Sequence, residues 1–119
     1  MDRKPSHYSK WGKMEQLLLA EKKTRFQVKR ASVKKTGKPF ELEFTDVEWP
    51  EQCPVLHIPL NYQNDGDRND HSPSWSLLIR EKGWVKGNVK IVSWRASRLR
   101  GDGTWKEHKL LSEYFMGDA

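Results

Sequence analysis

The chain has 119 residues, of which 35% are hydrophobic and 32% charged, with six tryptophans and a single cysteine. This length suits one small domain and leaves little room for a second core. The composition excludes a membrane span, because no apolar run approaches the roughly 20 residues that a bilayer requires. With Cys53 alone, an intrachain disulfide and a four-cysteine zinc site are excluded too. We therefore expect a soluble protein of a reducing cytoplasm.

The net charge of +6 is unevenly distributed along the chain. Residues 1–40 hold 12 lysines and arginines against 3 acidic residues, residues 41–71 hold 1 against 8, and residues 72–119 hold 9 against 5. Two basic segments therefore flank an acidic middle, which concentrates positive potential in patches. Such patches favour nucleic acid as a partner. The alternative is an ordinary solvated surface of lysine and arginine.

Residues 1–38 are predicted to form a basic helical region. From about Ser9 to Lys35, apolar residues recur at spacings near three, four and seven, which is typical of an amphipathic helix. Gly37 and Pro39 end this helix. A row of cations runs along it at three- and four-residue steps, formed by Lys22, Arg25 and Lys29 with Arg30 beside them. The row either follows a phosphate backbone or is a solvated face.

Residues 39–119 are predicted to complete the same compact domain. Alternating apolar and acidic residues from Phe40 to Phe44 indicate a short half-buried strand. A compact turn follows at Cys53–Leu56, and residues 61–71, rich in Asn, Asp and Gly, indicate an exposed loop.

The remaining elements follow in close succession. Trp75–Ile79 and Asn88–Ser93 have the length and composition of strands, and Trp94–Arg100 suits a short helix. Thr104 and Glu107 have the spacing of a capping box, which predicts a final helix. The order from about residue 53 to residue 100 is therefore turn, strand, loop, strand, helix.

Four sequence blocks in this region carry a family resemblance: CPVLHIPL at 53–60, SPS at 72–74, KGWVKGNV at 82–89 and VSWRASRL at 92–99. They resemble, at matching spacing, the motifs CPVLGIPL, SPS, KGYVKGNV and ISWRANRL of small bacteriophage HNH endonucleases, a His-Me finger group related to endonuclease VII. The likeness covers roughly residues 29–115. It implies an α+β fold: a small single domain with a ββα (HNH, His-Me finger) unit, a long basic N-terminal helix and a C-terminal helix.

The chain departs from this family at the positions that carry catalysis. The family motif after SPS reads LDRID, whereas this chain has WSLLI at 75–79. The resemblance implies that four catalytic or metal-binding positions are lost, at Ser76, Leu77, Ile79 and Ser97, and that Asn88 is retained to fix a loop. Mg²⁺ prefers hard oxygen ligands, and phosphodiester cleavage needs a base to deprotonate water. We therefore expect no catalysis, no metal and no cofactor, with Mg²⁺ required only if nuclease activity persists.

A rebuilt metal site is the alternative to this loss. The chain offers five side chains of the right chemistry, His57, Asp65, Asp67, Asp70 and His71. The opposing interpretation is that these residues are a turn histidine and a solvated loop.

The sequence leaves two principal functions open. The first is phosphate-mediated nucleic-acid binding through Lys22, Arg25, Lys29, Arg30, Lys86, Lys90, Arg95, Arg98 and Arg100. The second is binding to a host bacterial protein, which the chain would inhibit or redirect, through an apolar row of Trp75, Leu77, Leu78 and Ile79. That row would otherwise fill the vacated metal site. The resemblance places the protein in the cytoplasm of an infected bacterium.

Overall fold

The structure, a computed structural model, describes residues 6–63 and 66–116, and the side chains of residues 6–14 lie outside that description. Over the described residues the chain is a small α+β protein with three α-helices and two small sheets. None of the helices in this part of the chain is long and apolar enough to cross a bilayer. The division into residues 1–38 and 39–119 stays a prediction.

Helix α1 extends from Ser6 to Lys35 without a break, which confirms the predicted long helix. Phe26 and Val33 are buried, and Leu18 packs against the same core. The helix ends where Gly37 adopts a φ of 84°, a left-handed conformation that glycine tolerates without a Cβ clash. Trp11 and Met14, which belong to the same apolar spacing, lie outside the described side chains.

Strand β1 is shorter than predicted, since it covers only Phe40–Glu41. The predicted alternation is nevertheless present, because Phe40 and Leu42 are buried while Glu41 and Glu43 are exposed. The strand stops because a 3-10 helix begins at Phe44, where the Asp46 carboxylate accepts a hydrogen bond from the Glu43 N–H at 2.8 Å.

Strand β2 (Pro73–Leu77) and strand β4 (Val89–Ser93) form an antiparallel pair with Trp75 opposite Ile91. Strand β3 (Trp84–Val85) lies between them in sequence but pairs in parallel with β1. No sequence pattern predicts this second sheet, because two-residue strands are too short to show a period. One face of the β2–β4 pair packs towards α1, and the other packs towards the 53–60 segment and the helix that follows β4.

Two helices follow the sheet directly. Helix α2 spans Trp94–Arg100, as predicted, and begins where the Ser93 hydroxyl accepts a hydrogen bond from Ala96 N–H at 3.0 Å. Helix α3 spans Trp105–Tyr114. Its capping box between Thr104 and Glu107 is confirmed by reciprocal hydrogen bonds of 2.9 and 3.1 Å.

Aromatic side chains build the main core, which joins α1 to the β2–β4 pair. Phe26 makes edge contacts with Phe40 and Phe44, and its ring centroid lies 6.4 Å from that of Trp75. Trp75 in turn contacts Trp49 and Trp84 edge-on. Because each of these rings can bury about 150–250 Å², a few of them hold together a chain that is otherwise polar.

A second, smaller core forms under α2 around Cys53, Val92 and Ala96. Cys53 is fully buried, and its Sγ accepts a hydrogen bond from Ser93 N–H at 3.2 Å. Cys53 therefore packs inside the compact turn that the sequence predicts at this point. The turn closes at His57, which has a φ of 63° and donates its N–H to the Cys53 carbonyl at 2.8 Å.

Asn88 fixes the segment that connects β2 to β4. It is 4% exposed, and its amide oxygen accepts a hydrogen bond from Ile79 N–H at 2.9 Å. Its amide nitrogen donates to the carbonyls of Ile79 and Gly83 at 2.9 and 2.8 Å. One buried side chain therefore ties both ends of the connection, including Gly83 at a φ of 74°.

We expect Asn88→Ala to lower the free energy of unfolding by roughly 2–4 kcal/mol, because it leaves a buried N–H and two carbonyls without their partner. Chemical denaturation measures the change. The matched control is Lys86→Ala on the same connection, which removes an exposed side chain and should change stability by less than about 0.5 kcal/mol. Equal losses in the two variants would contradict this role.

Candidate functional site

A polar groove of about 530 Å³ lies between α1 and the segment 66–75. Three cations line it: Arg25 and Lys29 from the helix, and Arg68 from the loop. Uncharged donors complete its walls, among them Thr24, Asn69, Ser72 and Ser74. Two carboxylates, Glu21 and Asp67, also border it.

The predicted row on α1 is held in place by aromatic rings and by the loop. The Lys22 ammonium lies 4.9 Å from the centroid of the Tyr62 ring, and the Lys29 ammonium lies 5.6 Å from that of Trp84. Arg25 Nε is 3.4 Å from a Glu21 carboxylate oxygen, and its guanidinium donates to the Tyr62 carbonyl at 3.4 Å. Glu21 therefore neutralises Arg25, and two members of the row, Arg25 and Lys29, line the groove.

Lys29 and Arg68 are like charges that meet at this groove. Burial lowers the pKa of Lys29 from its ordinary value of 10.5, and the nearby positive charge of Arg68 lowers it further. The Arg68 guanidinium stacks over the Trp94 ring at 4.4 Å from its centroid. Two cations are thus held near each other, in a place where an anion between them would relieve their repulsion.

Arg30 does not belong to the same line of cations. It follows Lys29, so the helix rotates it by about 100°. Lys29 and Arg30 therefore lie on opposite sides of the buried stripe formed by Phe26 and Val33. Arg30 is exposed there, away from the polar groove.

The structure does not gather the five predicted cations of the C-terminal half into one surface. Lys90 is 3.7 Å from a Glu48 carboxylate, and Arg98 forms an ion pair with Asp70. Lys86 and Arg95 are exposed, but they lie beyond opposite ends of β4. The fifth, Arg100, has a structural role.

The guanidinium of Arg100 joins the end of α2 to the end of β2. It donates to the Ser76 hydroxyl at 2.8 Å, to the Leu77 carbonyl at 2.6 Å and to the Leu78 carbonyl at 3.3 Å. The Arg100 carbonyl is in turn hydrogen-bonded to Nε2 of His108 at 2.8 Å. Arg100 is thereby committed to internal partners, and the prediction that it contacts phosphate finds no support in this arrangement.

The predicted apolar row divides into two parts. Trp75 and Leu77 pack against the main core, as strand alternation places them, and so do not form a surface. Leu78 and Ile79 follow the end of β2 and are 54% and 47% exposed. Together with Pro54, Val55, Trp105 and His108, they line an apolar groove of about 780 Å³.

Two of the four positions that the resemblance marks as lost come together. Ser76 and Ser97 line one small pocket of about 310 Å³, which Arg100 also lines. Both side chains are neutral hydroxyls, and Ser76 already accepts a hydrogen bond from a guanidinium. This donor set does not fit Mg²⁺, which prefers several hard, anionic oxygens, and a fixed cation beside it opposes a second.

Two of the side chains proposed for a rebuilt metal site, Asp70 and His71, have other partners. Asp70 is ion-paired with Arg98, and the His71 ring is hydrogen-bonded to the Pro59 carbonyl at 2.8 Å. Among the residues that the structure describes, no three His, Cys, Asp or Glu side chains lie close enough together to hold a metal ion. Asp65, one of the candidates, lies outside the described residues.

Sequence reasoning missed Arg68, Trp94 and the contact of His108. Arg68 is the single cation in the acidic segment 41–71, which is the signal that could have singled it out. His108 is half-buried because it bridges α3 to α2 through the Arg100 carbonyl.

Comparison with known proteins adds no further constraint, since no protein-family model, curated protein or solved structure matches this chain. The family resemblance therefore stays a prediction, and function is inferred from the geometry.

We expect Lys29→Met to stabilise the protein at neutral pH. Because the folded state lowers the pKa of Lys29, it binds that proton less tightly than the unfolded state does, so the ionised side chain costs stability below its folded pKa. The gain in the free energy of unfolding of Lys29→Met over the wild type should shrink as the pH rises through the folded pKa of Lys29 towards 10.5. Denaturation at neutral and alkaline pH measures it, and Lys109→Met on the exposed face of α3 is the control. An advantage independent of pH would contradict this account.

Proposed function

We propose that this protein binds nucleic acid through its phosphates, with the polar groove beside α1 as the contact, and that it does so as a catalytically inactive relative of phage HNH nucleases. The observation that carries the proposal is the convergence of Lys29 and Arg68 on a groove lined by hydroxyl and amide groups. Cations that repel each other when the groove is empty gain by sharing a phosphate.

The surroundings of the groove suit a backbone contact better than base reading. Phosphate oxygens accept hydrogen bonds from guanidinium, ammonium, hydroxyl and amide donors, all of which are present here. Arg30 and Lys34 are exposed on the other side of the buried stripe, so they add to the positive charge of α1 without lining the groove. Contacts of this type are independent of sequence and depend strongly on salt.

We expect the protein to bind short fluorescein-labelled DNA, duplex or single-stranded, with an affinity that falls steeply as salt rises from about 50 mM. The double variant Lys29→Gln/Arg68→Gln should bind about tenfold or more weakly. Its salt slope should be shallower by about one for each phosphate that the variant no longer neutralises. Fluorescence anisotropy measures both quantities.

The matched control is Lys82→Gln/Lys109→Gln, which removes the same charge from exposed positions elsewhere. If both double variants showed the same reduction in affinity, net charge rather than the groove would govern binding. Absence of binding by the wild type at low salt would rule the proposal out.

Three features support descent from an HNH nuclease with loss of its chemistry. The order of antiparallel strands and helix from residue 73 to residue 100 agrees with a ββα unit, and Asn88 fixes its connection as that family implies. His57 has a left-handed backbone, which favours glycine, at the place where the family motif has Gly. Ser76 and Ser97 share one pocket, as two former metal-side positions would, with the Arg100 guanidinium beside them.

We expect purified protein to leave supercoiled plasmid intact in Mg²⁺, Mn²⁺ or Zn²⁺, because the hydroxyls at this pocket supply neither a charged ligand set nor a base. Agarose gel electrophoresis resolves nicked from intact plasmid. Metal-dependent nicking that disappears in His57→Ala or His71→Ala would instead establish a rebuilt site.

A second candidate function is binding to a host protein, and the apolar groove favours it. Leu78 and Ile79 are exposed beside Val55 and Trp105, and apolar side chains gathered in this way are typical of contact surfaces.

For this function we expect a partner, captured from nuclease-treated bacterial lysate, that stays bound at high salt. Its recovery should fall in Leu78→Ser/Ile79→Ser and not in Lys29→Gln/Arg68→Gln, because apolar contacts are insensitive to screening. Mass spectrometry of the eluate measures recovery. An equal fall in recovery with both variants would contradict the assignment to this groove.

A further inference from the structure

Helix α3 exposes nearly all of its apolar side chains. Leu110, Leu111, Tyr114 and Phe115 are 65%, 54%, 82% and 55% exposed, and the helical period places them on one side. In the described part of the chain, α3 has no extensive packing against another helix or strand. A helix of ten residues is marginal in water unless a partner covers its apolar side.

We propose that this side of α3 is a homodimer interface, in which α3 packs antiparallel against α3 of a second copy. Net charge favours α3 over the rest of the surface as the place where two copies meet. The chain carries +6, so two copies repel over most orientations. Within Trp105–Tyr114 the charges balance, with two lysines against two glutamates, and two copies can approach there without net repulsion.

The charges that flank the apolar side are also complementary to those of a second copy. Lys106 and Glu113 are seven residues apart, two helical turns, and therefore lie on the same flank. When a second helix runs in the opposite direction about a two-fold axis, Lys106 of each copy faces Glu113 of the other. Within one chain, Glu113 is only 4.0 Å from Lys109 at an exposed site, a contact weak enough to rearrange.

The exposed apolar surface of α3 suits an interface. Tyr114 and Phe115 are 82% and 55% exposed, and two leucines and the 74% exposed Met116 add to them. Since a fully covered aromatic side chain buries about 150–250 Å², this patch suits an interface at the small end of the usual range, below about 1,200 Å² in total. A monomer rarely leaves a patch of this size in water.

Sedimentation equilibrium of the full chain tests the proposal, after nuclease treatment and with the absorbance ratio showing that nucleic acid is absent. We expect a dimer at about 100 µM, where even a dimer with a Kd of ~10 µM is mostly formed. Leu111→Glu should raise the Kd at least about tenfold. The control is Leu17→Glu, which places the same charge on an exposed leucine of α1 and should leave the Kd unchanged. Circular dichroism confirms that both variants fold.

The charge pair gives a test that only a second copy can pass. Lys106→Glu should weaken the dimer by placing like charges opposite each other, and adding Glu113→Lys should restore it. A monomeric wild type at this concentration would overturn the proposal. So would a dimer that tolerates Leu111→Glu, an equal weakening in Leu17→Glu, or a double charge variant no tighter than Lys106→Glu. A monomer that instead binds a different protein through α3 would overturn it as well.

Discussion

The contact between Phe26 and Trp75 is the constraint on which the arrangement of this small protein depends. It joins a helix, whose exposed faces are strongly basic, to a sheet whose neighbouring loop is acidic. Because the aromatic cluster around Phe26 fixes the distance between α1 and the β2–β4 pair, it also sets the width of the polar groove between them. Lys29 and Arg68 come from segments of opposite overall charge, and it is the packing of apolar rings, not attraction between the two cations, that brings them together.

The two faces of the β2–β4 pair have different surroundings: one packs in the aromatic core, and the other carries Ser76 and the Arg100 guanidinium. Trp75 and Leu77 point into the aromatic core, so two of the apolar side chains of this segment contribute to packing. Ser76 points to the other face, where Arg100 closes the end of the strand with three hydrogen bonds. A guanidinium beside that hydroxyl supplies fixed positive charge without any ligand set for an ion.

Local signals in the sequence predicted the regular elements well. The helical state of α1, the bounds of α2 and the capping box of α3 all depend on residues close to one another in the chain, and all three are confirmed. The apolar stripe predicted along α1 is present only in part, because Leu19 is 45% exposed while Phe26 and Val33 are buried. The parallel pairing of Phe40 with Trp84 was not predicted, because it joins residues more than forty positions apart and involves two-residue strands.

The candidate site shows the same difference between local and long-range signals. The row Lys22, Arg25 and Lys29 is read directly from helical spacing, whereas its partner Arg68 becomes part of the groove only through tertiary packing. The grouping of Lys90, Arg98 and Arg100 as phosphate ligands went further than the structure supports, because the sequence does not show which cations already have internal partners.

Cys53 gives the protein a built-in reporter. It is the single cysteine of the chain, it is fully buried, and its sulfur accepts a hydrogen bond from the backbone of Ser93, the residue that caps α2. A thiol reagent in water can reach it only when the turn 53–58 separates from β4 and α2. The rate at which this sulfur is alkylated therefore measures how often the smaller core opens, independently of the aromatic core beside α1. A ligand in the polar groove or a partner on α3 would change the alkylation rate of Cys53 only if its binding alters how often the smaller core opens.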